Sequence, residues 1–450
     1  VIIYSASFNF LPGDTPSLTM QKAQASSCTS AGAGAWATVG TWSNCASTVP
    51  QVGDSVTVSH AVDIGDYTIN EVANITIASG GTLTQSNINT QTISGTLTVE
   101  SGGTLNHGNN STTHVYEVDI TAANIDVQSG GSINVYALGF DGGASGGGGA
   151  NGYAPVGTDG EGKFGANQGG GGGAHYGAGG VGDTDNAGGS AYDSATNPIY
   201  LGAGGAGAAD SGDNSALGGA GGGLIILNVS DTLTVNGTIT AAGRNPWHFL
   251  DGAGGGGGGA IKITAGTVTG TPISVSAKGG NASDASGDDG GGGGGGIIYI
   301  AYYNTNSIST VDVSGGTAYG VATAGSAGIF TDDPLNSVPT VTINSAVQKT
   351  DGTGTVDISV EVDDGDDDDV MLKVEYKAGS DCSSGTSDPT MDEAVSSTAD
   401  TSDSGGVPSV ENDDTYQIGT TATYRIDTGS GANTVTFDWS TATDVASADG

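Results

Sequence analysis

The sequence predicts an all-β chain: a parallel β-helix (solenoid) with poly-Gly rows, followed by an Ig-like β-sandwich. Three observations carry that expectation. Gly runs alternate with short β-branched strands, Gly218 to Gly223 (broken by Ala220) leading into Leu224-Ile225-Ile226-Leu227-Asn228-Val229, Gly254 to Gly259 into Ala260-Ile261-Lys262-Ile263, and Gly290 to Gly296 into Ile297-Ile298-Tyr299-Ile300. Strand starts placed at Leu224, Ile261 and Ile297 lie 261 − 224 = 37 and 297 − 261 = 36 residues apart, the mark of units that stack on their neighbours. A shorter unit recurs before them, and after Asp332-Asp333-Pro334 the Gly runs stop and alternating strands take over.

Taken in order, the chain divides into residues 1–50, an N-terminal strand and cap region; 51–335, the Gly-rich β-helix; and 336–450, the acidic sandwich. The opening VIIYSASFNFLP is the most hydrophobic stretch, and strand alternation puts Ile2, Tyr4, Ala6, Phe8 and Phe10 on one face. Pro12-Gly13-Asp14 ends it in a turn. Cys28 and Cys45 flank Trp36 and Trp42 and can close a loop of 45 − 28 = 17 residues as a disulfide, with Cys382 left over.

Three short coils follow, at Ile75-Thr76-Ile77 with Gly80-Gly81, Leu97-Thr98-Val99 with Gly102-Gly103, and Ile125-Asp126-Val127 with Gly130-Gly131, spaced 97 − 75 = 22 and 125 − 97 = 28. The Gly pair supplies φ > 0 where the chain turns between faces, and the apolar positions should form ladders along the axis. From Gly142 the coils lengthen. Each long cassette is expected to carry a second strand, at Leu233-Thr234-Val235, Ile273-Ser274-Val275 or Val311-Asp312-Val313. Without Cβ atoms the Gly runs can pack backbone to backbone as extended or polyproline-II-like rows. Beyond residue 338, strands are expected at Val341 to Ile343, Thr355 to Val362, Met371 to Tyr376, Ala422 to Ile426 and Thr434 to Trp439, with Trp439 and Tyr416 as core anchors. The sandwich reads one strand short, because Ala442 to Gly450 has the composition of a loop.

Composition excludes several classes. Glycine, 84 of 450 residues, has no G-X-Y period, so collagen is ruled out. Disorder is the rival for such a composition, and recurrent apolar strands argue against it. A formal charge of −39, from 48 acids against 9 Lys plus Arg, repels phosphate backbones and anionic lipid, so nucleic acid is a poor partner. No run of 18 apolar residues marks a membrane span. A start at Val1 without Met suits a processed, secreted protein, extracellular or at a cell surface.

The SGGTL units and the stretch TLTVNGTITAAG resemble glycine-rich parallel β-helix proteins of prokaryotic cell surfaces, over about residues 50–320. VPTVTINSAVQKTDGTGTVDISVEVDDGDDDDVMLKVEY, with TYQIG and NTVTFDWSTATD, is similar to Ig-like or fibronectin-type III modules of such proteins. These resemblances imply display, adhesion or assembly and bring no catalytic residues.

The chemistry sought for an enzyme is thin. A β-helix polysaccharide lyase or hydrolase needs a base beside carboxylates, or two carboxylates across a groove. The coil region offers Lys163, Arg244, Lys262 and Lys278, none beside paired acids except in loops, and His107 and His114 are the only near pair of histidines. The sharpest local signal is Asp363, Asp364, Asp366, Asp367, Asp368 and Asp369 around Gly365. Clustered carboxylates repel unless a hard cation such as Ca²⁺ sits among them, though a solvated acidic turn has the same appearance. Sequons at Asn74, Asn109, Asn110, Asn228, Asn236 and Asn281 permit glycosylation without indicating it.

The expectation is therefore a non-enzymatic extracellular structural protein, a self-assembling subunit of a surface filament or layer. Its partner is itself, the N-terminal strand (Ile2, Tyr4, Ala6, Phe8, Phe10) of one subunit completing the sandwich of the next. The same strand can instead cap the β-helix of its own chain. The alternatives are an adhesin that contacts glycans or other surface proteins through Gly-rich loops with Trp247, Phe249, Tyr176 or Tyr153, and a polysaccharide enzyme.

Overall fold

The computed structural model describes all residues except 1–3, 8–18, 23–24, 47, 145–149, 165–168, 184–185, 209–215, 248–251, 271–273, 284–287, 309, 336–337, 365–367, 377–388, 395–407, 413–414, 422–423, 427, 429–432 and 445–450. They form two compact units, Val1–Pro334 and Leu335–Gly450.

The chain is nearly all β. In the first unit β1 (Tyr4–Ser7) and β2 (Thr19–Lys22) pair antiparallel as a separate two-stranded sheet. Then come β3 (Ser27–Ser30), β4 (Gly34–Ala35), β5 (Trp42–Ser43), β6 (Ser55–Val58), β7 (Ala61–Asp63), β8 (Asn74–Ile77), β9 (Thr82–Gln85), β10 (Gln91–Val99), β11 (Thr104–His107), β12 (Val118–Val127) and β13 (Ser132–Asn134). After a long stretch with no strand among its described residues the series resumes with β14 (Leu224–Val235), β15 (Thr238–Thr240), β16 (Ala260–Thr269), β17 (Ser274–Ser276), β18 (Ile297–Asn306), β19 (Val311–Asp312) and β20 (Ile329–Pro334). From β6 to β20 the even-numbered strands and the odd-numbered strands form two separate sheets, all parallel within each. Successive strands thus alternate between two sheets, and each circuit of the chain adds one strand to both.

Register follows from side-chain burial. Val56, Ile75, Leu97, Ile125, Leu233 and Val268 stand in line across one sheet, and Val62, Leu83, Leu105, Ile133, Ile239 and Val275 across the other. All are at most 2 % exposed and belong to one continuous core. A one-residue slip would turn such a ladder outward, and each side chain gains about 1.5–3 kcal/mol from burial, so the stack fixes its own alignment. The steps of 22 and 28 residues coincide with this register, Ile75 opposite Leu97 and Leu97 opposite Ile125. In the long cassettes the register differs from the expected starts: Leu224 pairs with Ala260, and Ala260 with Ile297. The steps are 260 − 224 = 36 and 297 − 260 = 37, because Ala260 occupies a strand position despite its small side chain. Leu233 to Val235 is not a second strand. It continues β14 past an irregularity between Val229 and Thr232, and the true counterpart of Val275 is Ile239.

The two glycines of each short corner do different work. Gly80, Gly102 and Gly130 have φ of 79°, 79° and 84°, the left-handed region that disfavours side chains. Gly81, Gly103 and Gly131 lie where a Cβ would stand 2.1, 2.4 and 2.4 Å from the carbonyl oxygens of Val58, Ile77 and Val99.

The cap is not separate from this stack. β3 and β5 extend the first sheet, β3 parallel to β6, and β4 extends the second. Trp36 and Trp42 meet edge to face at 4.8 Å, and Trp42 Nε1 donates to Trp36 O at 2.8 Å. Cys28 and Cys45 are joined, with their Cα atoms 4.7 Å apart.

In the second unit β21 (Thr340–Gln348), β22 (Val356–Asp363), β23 (Met391–Ala394) and β24 (Asn433–Trp439) form an antiparallel sheet in the order β21-β22-β24-β23. Met371 to Tyr376 and Ala422 to Ile426 are not continuous strands among the described residues. Bridges join Val370 to Ile426 and Leu372 to Ile418. The core centres on Val360, Ile418, Ile426, Val435 and Phe437. Tyr416, expected inside, is 43 % exposed, beside the buried Gln417 and Ile418. The tail read as loop opens with a single helical turn, Thr441–Asp444.

Candidate functional site

The Gly runs carry the most unusual geometry. Between Gly254 and Gly259 the successive backbone N–H groups donate to Ala206, Gly291, Arg244, Ala203, Gly294 and Ala241 O, at 2.7–3.0 Å. Every third donor returns to the same neighbouring row. Gly202 to Gly207 repeats the rule, donating in turn to Gly222, Ala174, Tyr153, Gly219, Gly171 and Ala150 O. From Gly291 to Gly296 the acceptors are Gly170, Thr323, Gly280, Gly173, Ser326 and Ala277. A period of three is that of polyproline II, whose backbone groups point outward at 120° steps. Each row is thereby bonded to three neighbours as donor, and its carbonyls serve others. Residues 201–208, 218–225, 252–261 and 290–301 are buried without a break. A Cβ at Gly254, Gly255, Gly256 or Gly258 would stand 2.0 Å from a carbonyl oxygen. At these positions only glycine fits, while Ala203, Ala206 and Ala220 fill other row positions at most 2 % exposed.

Rows run directly into strands. Leu224, Ala260 and Ile297 mark the seam and pack with Phe140 and Leu201 in a cluster of their own. His107 bridges it: Leu224 N–H donates to its Nε2 at 3.3 Å, and Nδ1 meets Gly108 O at 2.7 Å. Burial pushes this imidazole down to about 4; the Gly108 bond opposes the shift and nearby His114 adds to it.

Inside the row block, His175 Nε2 meets Asp193 Oδ2 at 2.9 Å and Nδ1 meets Gly258 O at 2.9 Å. The Asp193 carboxylate also accepts from the N–H groups of Ser194, Ile199 and Tyr200. Burial raises its pKa, but the bond to His175 and those N–H groups outweigh that and hold it below the usual range. Tyr192 OH donates to Leu201 O at 2.5 Å. With both ring nitrogens engaged and its side chain fully buried, His175 is a tie between rows.

The residues singled out in sequence are dispersed. Lys163 pairs with Glu161, Lys262 Nζ donates to Asn197 Oδ1 at 2.7 Å, and Arg244 O accepts from the Gly256 row. Tyr176 packs at the row and strand seam, whereas Trp247 is 66 % and Tyr153 45 % exposed on loops between rows. Phe249 lies outside the described residues. Asn110 is no glycan acceptor in the fold, since it is buried, donating to Tyr116 and Leu138 O and accepting from Val115 and Tyr116 N–H. Asn74 and Asn109 are exposed, and Asn228, Asn236 and Asn281 half-buried.

Along the acidic run, β22 ends at Asp363, Asp364 is buried, and Asp368 and Asp369 are exposed. Asp366 and Asp367 lie outside the described residues, as do Cys382, Ile2, Phe8 and Phe10; Tyr4 and Ala6 are placed in β1 by backbone alone. Among the described residues no group of three His, Cys, Asp or Glu converges as a metal site.

An apolar groove of about 230 Å³ opens along the second unit's sheet, lined by Val341, Ile343, Ile358, Leu372, Val374 and Phe437 among others. Sequence reading missed it, although the exposed apolar positions of Val341 to Val347 carried its signal. No helix among the described residues is long and apolar enough to cross a membrane. Comparison with protein-family models, curated proteins and solved structures finds no match.

Proposed function

We propose that the chain is an extracellular structural protein: a parallel β-helix shaft braced by polyproline-II glycine rows, with an Ig-like module, assembling with copies of itself into a surface filament or layer. The joint is head to tail, by donation of the N-terminal strand. The observation that carries this reading is the rotation of row hydrogen bonds among three neighbours. Ordering glycine is entropically costly, and a three-directional backbone lattice offsets that cost while leaving no room between rows; its product is stiffness. The Cys28–Cys45 bridge suits an oxidising compartment.

Negative-stain microscopy of the purified chain tests the reading. Rods joined end to end are expected, and removal of residues 1–11 should leave folded, unjoined rods. Dispersed particles that bind a glycan array would instead support an adhesin, for which the exposed Trp247 is the supporting observation. Loss of polysaccharide viscosity on incubation would support an enzyme.

A further inference from the structure

We propose that the acceptor in this assembly is the open edge of β21 with the groove beside it, and that its occupant is the β1–β2 hairpin of a second copy, added through the free edge of β1. The inference rests on the reading of the chain as a self-assembling subunit.

β21 stands at the end of its sheet and, among the described residues, pairs with β22 alone. All nine of its residues are exposed, including Val341, Ile343 and Val347 at 54, 71 and 60 %. Solitary edges are normally blunted by charge, proline, a bulge or a covering segment. This one has no charged residue and no proline, only an irregularity between Ile343 and Ser345. The segment holding Leu372 and Val374 lies across the groove, where Val360 and Phe437 are 4 and 1 % exposed. That cover stops short of Ile343. Among the described residues, the sheet lacks cover on the side where it lacks a strand.

The hairpin meets both needs. Between Val1 and Gly13 no side chain is charged, and apolar residues alternate from Ile2 to Phe10. In a chain of charge −39, an uncharged segment approaches the acidic second unit without repulsion. β1 uses one edge to pair with β2, and among the described residues the pair joins no other sheet; such a two-stranded unit is marginal alone. Joining β1 to β21 yields the order β2-β1-β21-β22-β24-β23, with backbone bonds along the edge and alternate side chains over the groove. The contact is heterologous, so it repeats.

The test uses the full chain with a photo-crosslinking benzoylphenylalanine at Ile343, mixed in equal parts with ¹⁵N-labelled copies. A product joining position 343 to a residue between Val1 and Lys22, with both isotopes in one product, is expected. Products of a single isotope only, or joined to another segment, overturn the inference. In parallel, a labelled peptide of residues 1–22 is titrated onto the chain lacking those residues. One peptide per chain should bind, and Ile343→Asp should weaken it at least about tenfold; unchanged binding overturns the inference. Should that variant fail to fold, the crosslink decides. Filaments without the crosslink leave the filament reading standing and remove this acceptor. Crosslinked pairs and bound peptide without filaments do the reverse.

Discussion

His175 and Asp193, 18 residues apart, meet at 2.9 Å in the interior of the glycine-row block, their side chains 0 and 2 % exposed. The second ring nitrogen faces Gly258 O, 83 residues away. Each nitrogen thus faces an oxygen that can only accept. A buried pair adds little net stability, but removing one partner strands the other. Asp193→Asn should destabilise the first unit by about 3–5 kcal/mol, seen as a lower denaturant midpoint.

The same carboxylate makes an acid-sensitive term. Its folded pKa lies below the unfolded value near 3.9, so its contribution is present above that value and is lost as pH falls through the folded one. Melts of wild type and Asp193→Asn from pH 5 to pH 2 should converge. Parallel curves throughout would show that the pair carries no such term.

Glycine in the rows is a packing requirement, and two substitutions separate that from backbone freedom. At Gly257 a Cβ would stand 2.3 Å from Ala174 O, and at Gly258 2.0 Å from Ala277 O, with backbone on both sides. Gly258→Ala should cost more than the ~1–3 kcal/mol of ordinary overpacking. At Gly32 a Cβ meets nothing within 4 Å, and φ is not positive. Gly32→Ala should be neutral or stabilising by up to ~1 kcal/mol. Thermal melts of the two variants compare them directly; equal effects would refute the row packing described above.

Much of the stack was legible because sheet periodicity is written in side chains. Ile75, Leu97 and Ile125 align as their spacing requires, since any slip buries threonine and exposes isoleucine. The Leu224 to Ala260 register was missed by one residue because alanine is too small to signal a buried strand position. Row packing itself was only partly legible: identical glycines hold no information about which neighbour each N–H selects, and those partners lie as far apart as Gly291 and Gly170, 291 − 170 = 121 residues. His175 and Asp193 gave no sequence signal, being unremarkable residues brought together by that lattice. Tyr416 misled because aromatic character says nothing of which way a short segment faces.

Calcium at the acidic turn is testable through stability. Asp364 is turned inward at the end of β22, and Thr428 Oγ1 donates to Asp368 O at 2.6 Å, which ties the turn to the segment before β24. If Ca²⁺ binds there, it stabilises the folded second unit by mass action. Excess chelator should then lower that unit's melting temperature, and changing Asp364, Asp366 and Asp368 to Asn should abolish the difference. An identical melt with and without chelator would remove calcium from the account.

His107 joins the end of β11 to the start of β14. Its Nε2 accepts from Leu224 N–H and its Nδ1 faces Gly108 O, an arrangement that needs the neutral ring. Protonation places a charge in the core and takes away the lone pair that Leu224 uses. With the folded pKa depressed to about 4 against ~6.5 in the unfolded chain, the unfolded state binds more protons between those values. Stability is therefore full above about pH 6.5 and falls as pH drops through about 4. The difference of roughly 2.5 units amounts to about 3 kcal/mol. This window lies above the one set by Asp193, so the two separate on a pH axis. His107→Gln keeps a side-chain acceptor within reach of Leu224 and does not titrate. It should lower stability at neutral pH and flatten the slope between pH 6.5 and pH 4 in denaturant titrations of the first unit. A slope left at the wild-type value would mean that another group sets the acid response.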